Sequence, residues 1–352
     1  NQGSLSPFNF FEPTHRSSYL VCIIAIVFFG CMRERQIMNH DKGSSMKITT
    51  DLDLVALNRQ RALAQPHRRI YTFLEDGEKR ESYLTQDTLD CRARAMGATL
   101  QRLQAQKQRA LLLYPPGLDY IVGFFGCLYA GVVAVPAYPP DPARLNRTLP
   151  RLQAIIADAQ VTLILTTAEI FSLAEFLFEQ APDLVTPQWI ATDTISPTLA
   201  DEWHEPGIST DTLAFLQYTS GSTRTPRGVM LTHANLLHNS ALISQAFRIT
   251  PQSIGMIWLP PYHDMGLIGG ILQPLYANIP CILMSPVSFL QHPLRWLDAI
   301  SHYHATISGG PNFAYDLCVR KVTSEQRATL NLSSWSLAFN GAEPIRAETL
   351  DR

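Results

Sequence analysis

Residues 111–140 read LLLYPPGLDYIVGFFGCLYAGVVAVPAYPP, and this run decides the fold class. Leu111–Tyr114 is a short apolar stretch ended by Pro115-Pro116-Gly117, which predicts a buried strand. Leu118–Ala130 is apolar on nearly every side and long enough for a helix. Val132–Pro136 is a second strand, closed by Pro139-Pro140. A strand, a helix and a strand in direct succession predict an α/β fold with a largely parallel sheet. The Phe-Phe-Gly-Cys-Leu-Tyr stripe within Tyr120–Ala130 has a second reading, a membrane-facing or acyl-binding surface, but burial between a sheet and its neighbours is the simpler one.

The alternation continues on both sides. Leu89, Ala93, Met96, Leu100 and Leu103 recur at three- and four-residue steps, an amphipathic helix within 86–108. Short apolar runs at Val161–Leu165, Leu213–Tyr218, Met256–Leu259, Cys281–Met284, Ala305–Ser308 and Trp335–Phe339 predict further strands. Helical segments separate most of them, at 144–159, 169–180, 234–247, 293–302 and 312–322. About 300 residues suit two packed α/β subdomains better than one. The stretch 185–210, rich in Pro, Thr, Asp and Glu, is the expected seam between them.

Composition narrows the function classes. The chain has 352 residues, 46% of them hydrophobic and 16% charged, which suits a sizeable core and not a disordered chain. Lys and Arg total 28 against 30 Asp and Glu, a net charge of -2, so there is no basic stripe of the kind nucleic acid demands. The six cysteines are scattered without a C-x-x-C pair, which predicts neither a disulfide scaffold nor a zinc site and fits a reducing, cytoplasmic compartment. No metal site is predicted from the residues.

Residues 1–45 differ from the rest and are set apart as an N-terminal extension. Tyr19–Met32 is apolar and flanked by Arg16 and Arg33-Glu34-Arg35; its 14 residues would span about 21 Å as a helix, short of the ~30 Å hydrocarbon core. Three readings stand: translated upstream sequence with initiation at Met38 or Met46, a membrane association through 19–32, or an export signal. The domain proper is expected over 46–352.

Chemistry-bearing residues gather in four turns that each follow an apolar strand. Tyr218–Val229, YTSGSTRTPRGV, packs hydroxyls, two glycines and two arginines into one loop. Glycines let the backbone approach a ligand, hydroxyls and backbone N–H groups donate to phosphate oxygens, and Arg227 adds a charge-assisted contact. It lacks the Gly-Lys-Ser/Thr ending of a Walker loop, and taken alone it reads equally as a solvated turn. Pro260–Leu267, PPYHDMGL, places His263 beside Asp264; alone, such a histidine is more often structural than catalytic. Ser308–Phe313, SGGPNF, and Phe339–Pro344, FNGAEP, are glycine turns at strand ends. Open α/β sheets bind ligands beyond the carboxyl ends of their strands, so four such turns predict one nucleotide-sized cleft.

These motifs resemble those of the acyl-adenylate-forming superfamily, and within it the fatty acyl-AMP ligases. Arg224 and Arg227 stand where the wider superfamily typically carries Gly and Lys. The stretches 113–142, 260–276, 308–321 and 339–346 are also similar, in family order, so the resemblance runs from about Met46 to Arg352. It implies that Thr219, Ser220, Gly221, Ser222 and Thr223 wrap the ATP phosphates and that Arg227 and His263 are the catalytic side chains. His263 would lie where the acyl tunnel meets the nucleotide. Gly309, Gly310 and Asn312 would line the acyl pocket with it. Asn340, Gly341, Ala342 and Glu343 would face the adenine. The implied reaction is attack of a fatty carboxylate on the α-phosphorus of ATP, with Mg²⁺ bridging phosphate oxygens, followed by transfer to the phosphopantetheine of an acyl carrier protein. A long-chain acyl-CoA synthetase and a non-catalytic binding module are the alternatives. The superfamily continues past the FNGAEP turn to an acidic Mg²⁺-contacting motif, a ribose-holding aspartate and a small domain with a catalytic lysine. None of these occurs before Arg352. The chain is therefore expected to be the N-terminal region of a longer ligase and to catalyse little alone.

Overall fold

The computed structural model describes residues 52–139, 145–173, 182–219 and 226–352, together with the backbone of Leu20–Ile23. The rest of the 1–45 extension, and with it the choice among the three readings of 19–32, lies outside the described residues.

Two sheets carry the architecture. The first has the order β1-β13-β12-β10-β11-β2-β3. Its strands are β1 (Leu20–Ile23), β2 (Arg69–Leu74), β3 (Glu81–Thr85), β10 (Gly255–Ile257), β11 (Cys281–Met284), β12 (Ile307–Gly310) and β13 (Leu337–Asn340). The second has the order β7-β6-β4-β5-β8-β9. It consists of β4 (Arg109–Leu112), β5 (Val133–Pro136), β6 (Leu163–Thr166), β7 (Gln188–Ala191), β8 (Leu213–Thr219) and β9 (Arg227–Thr232). Each sheet is parallel throughout except for one antiparallel pair at an edge, β2 with β3 and β8 with β9. The α/β class and the parallel sheets read from the sequence are thus present.

Helices α1 (Leu54–Ala64), α2 (Gln86–Arg102), α3 (Leu118–Ala130), α4 (Leu145–Ala159), α5 (Ala168–Ser172) and α6 (His233–Ala246) come before β10. A π-helix follows at Met265–Leu272, continued by α7 (Gln273–Ala277). Beyond lie α8 (Pro286–Gln291), α9 (Leu294–Tyr303) and α10 (Asn312–Lys321). The predicted helix over 169–180 is described only as α5; its remainder from residue 174 lies outside the described residues.

One face of the six-stranded sheet, with Ala110, Leu112, Ala134, Leu165 and Phe215, packs with α2 and α3 into a core that also takes Tyr71 and Met284 from the other sheet and Phe289 from α8. The alternate residues Leu111, Leu113, Val135 and Ile164 meet Leu149, Leu152 and Ile155 of α4 on the opposite face. This is the period-two alternation of a strand buried on both sides. Burial of the all-apolar α3 follows directly: Tyr120, Phe124, Phe125 and Tyr129 have no exposed surface.

The seam needs correction. Residues 185–210 do not join two units; β7 within them pairs with β6. The chain passes between the sheets at α2 and again at α6, so the six-stranded unit is inserted into the seven-stranded one. The polar stretch is a strap laid over α2 and α3. Arg94 donates to the Ala200 carbonyl at 2.9 Å and the Trp203 indole to the Tyr129 carbonyl at 2.7 Å. A buried-side, polar-side strap has the composition of a linker, which is why its sequence misleads.

Candidate active site

The carboxyl ends of the two sheets face one another. Tyr138, just past β5, sets its ring 3.9 Å from that of Tyr262, just past β10. The Gln217 amide of β8 donates to the Tyr262 carbonyl at 3.3 Å. Between these ends, Pro260–Asp264 forms a turn whose last residue does two jobs. Asp264 Oδ1 accepts from the Met265 backbone N–H at 2.7 Å, capping the π-helix, and lies 2.6 Å from His263 Nδ1. The hydrogen bond to Asp264 raises the His263 pKa, an effect that burial only partly opposes. Burial pushes Asp264 up, but the hydrogen bond to His263 and its charge outweigh this and leave the carboxyl below its ordinary value. His263 is half exposed, so it can meet a ligand.

The turn after β13 is fixed by Asn312, the first residue of α10, which is fully buried. Its Oδ1 accepts from Asn340 Nδ2 at 2.9 Å and from the Arg346 N–H at 3.1 Å, while its Nδ2 donates to the Pro344 carbonyl at 2.9 Å. Tyr315 adds a hydrogen bond to the Phe339 carbonyl at 2.6 Å. Within this clamp Ala342 adopts φ 69°, a left-handed conformation that costs a side-chain-bearing residue on the order of 1 kcal/mol. Glu343 Oε1 and Asn340 Oδ1 are buried without a hydrogen-bond partner. Such orphaned acceptors are costly unless a ligand or water meets them.

An apolar cavity, open to solvent on one side, runs from this turn along the seven-stranded sheet. Asn340 and Gly341 line it together with Phe247, Ile257, Met265, Gly269, Gln273 and Ile307. Of the residues expected at the acyl pocket, Gly309, Gly310, Asn312 and His263 lie outside the lining of this cavity. A Cβ on Gly309 would lie 2.1 Å from the Phe339 carbonyl oxygen, and one on Gly310 2.6 Å from the Trp258 ring. These two glycines serve close packing of β12, and Asn312 serves the turn. Asn340 and Gly341, expected at the adenine, sit where cavity and turn meet. The lining residues Phe247, Gly269 and Gln273 were not singled out from the sequence. The available signal was the apolar run 265–272, in which a four-residue stride carries Met265, Gly269 and Gln273 onto one face.

The hydroxyl-rich loop joins β8 to β9 as a hairpin, with Thr219 paired to Arg227 across it. Arg227, at the first position of β9, is exposed. Ser220, Gly221, Ser222, Thr223 and Arg224 lie outside the described residues. Among the described residues there is no cluster of three or more His, Cys, Asp or Glu side chains able to hold a metal ion.

Parallel α/β sheets whose strand-end turns meet beside an apolar cavity place a ligand site at the carboxyl ends of the strands. The chain belongs to the AMP-binding enzyme family, whose profile matches residues 58–352. It is 52% identical over 299 residues to the medium-chain-fatty-acid–[acyl-carrier-protein] ligase JamA of Moorena producens, covering 85% of this chain and 50% of that protein. It is 35% identical over 321 residues to the long-chain-fatty-acid–AMP ligase FadD32 of Mycolicibacterium smegmatis, covering 88% of this chain and 50% of the relative. Among solved structures, the fatty acyl-adenylate ligase of Legionella pneumophila in complex with acyl adenylate and pyrophosphate superposes with a TM-score of 0.79 at 45% identity, covering 85% of this chain and 51% of that one. The chain spans about half the length of the curated relatives it matches.

Proposed function

We propose that this chain forms the acyl- and nucleotide-binding part of a fatty acyl-AMP ligase that serves an acyl carrier protein. The observation that carries this reading is the adjacency of an apolar cavity and the Asn340–Gly341 turn, which lets one site take a hydrocarbon tail and a nucleotide together. The names of the relatives, a carrier-protein ligase and an acyl-AMP ligase, support it.

In this reading the fatty carboxylate oxygen attacks the α-phosphorus of ATP. The new P–O bond forms as the bond to the bridging oxygen of pyrophosphate breaks, giving acyl-AMP. Positioning and charge neutralisation carry such a step. Thr219–Thr223 and Arg227 take the phosphates on the β8–β9 hairpin. His263, held by Asp264, stands at the carboxylate, where its raised pKa favours the charged, donating form. Asn340–Glu343 take the adenine side, and Asn312 is a positioning residue behind them. Mg²⁺ enters as part of the MgATP substrate, in keeping with its preference for phosphate oxygens and few protein ligands. A cytoplasmic reaction belongs to this reading, supported by the free thiols of the described cysteines Cys91, Cys127, Cys281 and Cys318.

The test is a mass-spectrometric assay of the ligase of which this chain is proposed to be the binding part, with ATP, Mg²⁺ and saturated fatty acids of increasing length. Holo-carrier protein and CoA are offered as separate acceptors. Acyl-AMP, passed to the carrier in preference to CoA, is the expected product; acyl-CoA without free adenylate would replace the ligase reading by an acyl-CoA synthetase.

A further inference from the structure

Three glycines of the π-helix region differ in what their missing side chains do. A Cβ on Gly266 would lie 2.0 Å from the Pro260 carbonyl oxygen, and one on Gly270 2.9 Å from Ile257. Those two positions are closed by packing. A Cβ on Gly269 meets nothing within 4 Å, although the neighbours Leu267, Ile268, Gly270 and Ile271 are buried. The space left by Gly269 is the cavity itself, which it lines.

Met265, Gly269 and Gln273 follow at four-residue steps, which in a helix with i→i+5 bonding stay on one face. All three line the cavity. Met265 lies two residues from His263, at the end where the turns converge, and Gln273 closes the inner end beside Pro274 and Ile279. Gln273 is thus eight residues along the helix from Met265, with Gly269 midway. The inner end is also polar: Gln273 Nε2 donates to Ser244 Oγ at 2.8 Å, and its Oε1 has no partner. A hydrocarbon tail extending to this depth would pass Gly269 and stop at an amide.

We infer that Gly269 is the specificity-determining residue for acyl-chain length: its missing side chain keeps the inner half of the cavity open to an unbranched tail. This rests on the fatty acyl-AMP ligase reading above. Any side chain at 269 narrows the passage halfway, so short tails still fit and long ones do not.

The experiment titrates the 352-residue chain with hydrolysis-resistant acyl-adenylate analogues bearing four- to fourteen-carbon tails, by calorimetry, alongside Gly269→Ala and Gly269→Leu. Wild-type affinity should rise with tail length up to a limit. Gly269→Leu should move that limit to shorter tails, weakening the longest accepted tail by about tenfold or more, since each buried methylene contributes several-fold in affinity. The four-carbon analogue should stay within about twofold. Gly269→Ala should show the same shift in smaller measure, with an unlowered melting temperature because Ala suits a helix better than Gly. Equal losses at every length in both variants, or unchanged length dependence in both, overturn the proposal for Gly269. A wild-type chain that binds adenosine ligands but gains nothing from any tail overturns the ligase reading itself.

Discussion

Helix α3 and the π-helix look alike in sequence, both nearly all apolar and both interrupted by glycines, yet one glycine of the π-helix, Gly269, is used in the opposite way to those of α3. In α3, a Cβ on Gly123 would come 2.6 Å from the Tyr114 hydroxyl and one on Gly126 2.5 Å from Met96. Large side chains have filled both gaps, and the Tyr114 hydroxyl shares a 2.8 Å hydrogen bond with Thr192. In the π-helix, Gly269 opens onto empty space. Packed interiors leave few voids larger than a water molecule, so an unfilled gap along an otherwise buried helix points to a ligand rather than to the core. One apolar helix is scaffold, the other is wall.

The largest effect that could break this contrast is in α3. Phe124→Ala removes a fully buried ring that packs 5.6 Å from Phe215 and 5.8 Å from Phe125, and should cost about 3–5 kcal/mol in chemical denaturation. A cost near that of a surface change would mean α3 is not the core.

Next comes His233, at the start of α6, the helix that supplies Phe247 just past its end. It is buried, its Nδ1 accepts from the Leu54 N–H at 3.2 Å, and burial lowers its pKa from 6.5 to about 4. The depressed pKa means the unfolded chain takes up the proton first. The contribution is therefore complete above pH 6.5, falls by about 3 kcal/mol as pH drops to about 4, and changes no further below that. His233→Asn should flatten this part of the stability–pH curve.

Gly123→Ala should destabilise by about 1–3 kcal/mol, because the Tyr114 ring cannot move without breaking its bond to Thr192. Gly269→Ala should instead be neutral or stabilise by up to about 1 kcal/mol. The opposite signs of these two Gly→Ala changes sharpen the contrast; equal signs would erase it. The smallest effect on stability belongs to Asp264→Asn, where the half-exposed His263 loses its partner. Its readout is the imidazole titration followed by NMR, which should move to lower pH.

The strand–helix–strand reading of 111–136 was legible because each segment has its own period and ends on Pro or Gly; the helix bounds Leu118–Ala130 coincide with the structure. The hairpin β2–β3 escaped notice. Its β3, ESYLT, carries a single fully buried residue, Leu84, and offers no apolar run. The strap over α2 was misread for a related reason, since a strand at a sheet edge with one wet side has the composition of a loop. At the site, the four turns were legible from their glycines and polar residues. The close packing of Gly309 against Phe339 was not, because a glycine's contact with a neighbouring carbonyl depends on the pairing of β12 and β13, which no local pattern encodes.

The most direct test of a joint acyl and nucleotide pocket is a thermal shift of this chain with a hydrolysis-resistant dodecanoyl-adenylate analogue, compared with AMP and dodecanoate given separately. At a ligand concentration ~100 times its dissociation constant, linkage gives ~2.7 kcal/mol of stabilisation. The predicted result is a clear rise in melting temperature with the joined ligand that neither half reproduces. A cooperative melt that the joined ligand leaves unchanged would contradict the claim that the cavity and the Asn340–Gly341 turn form one site.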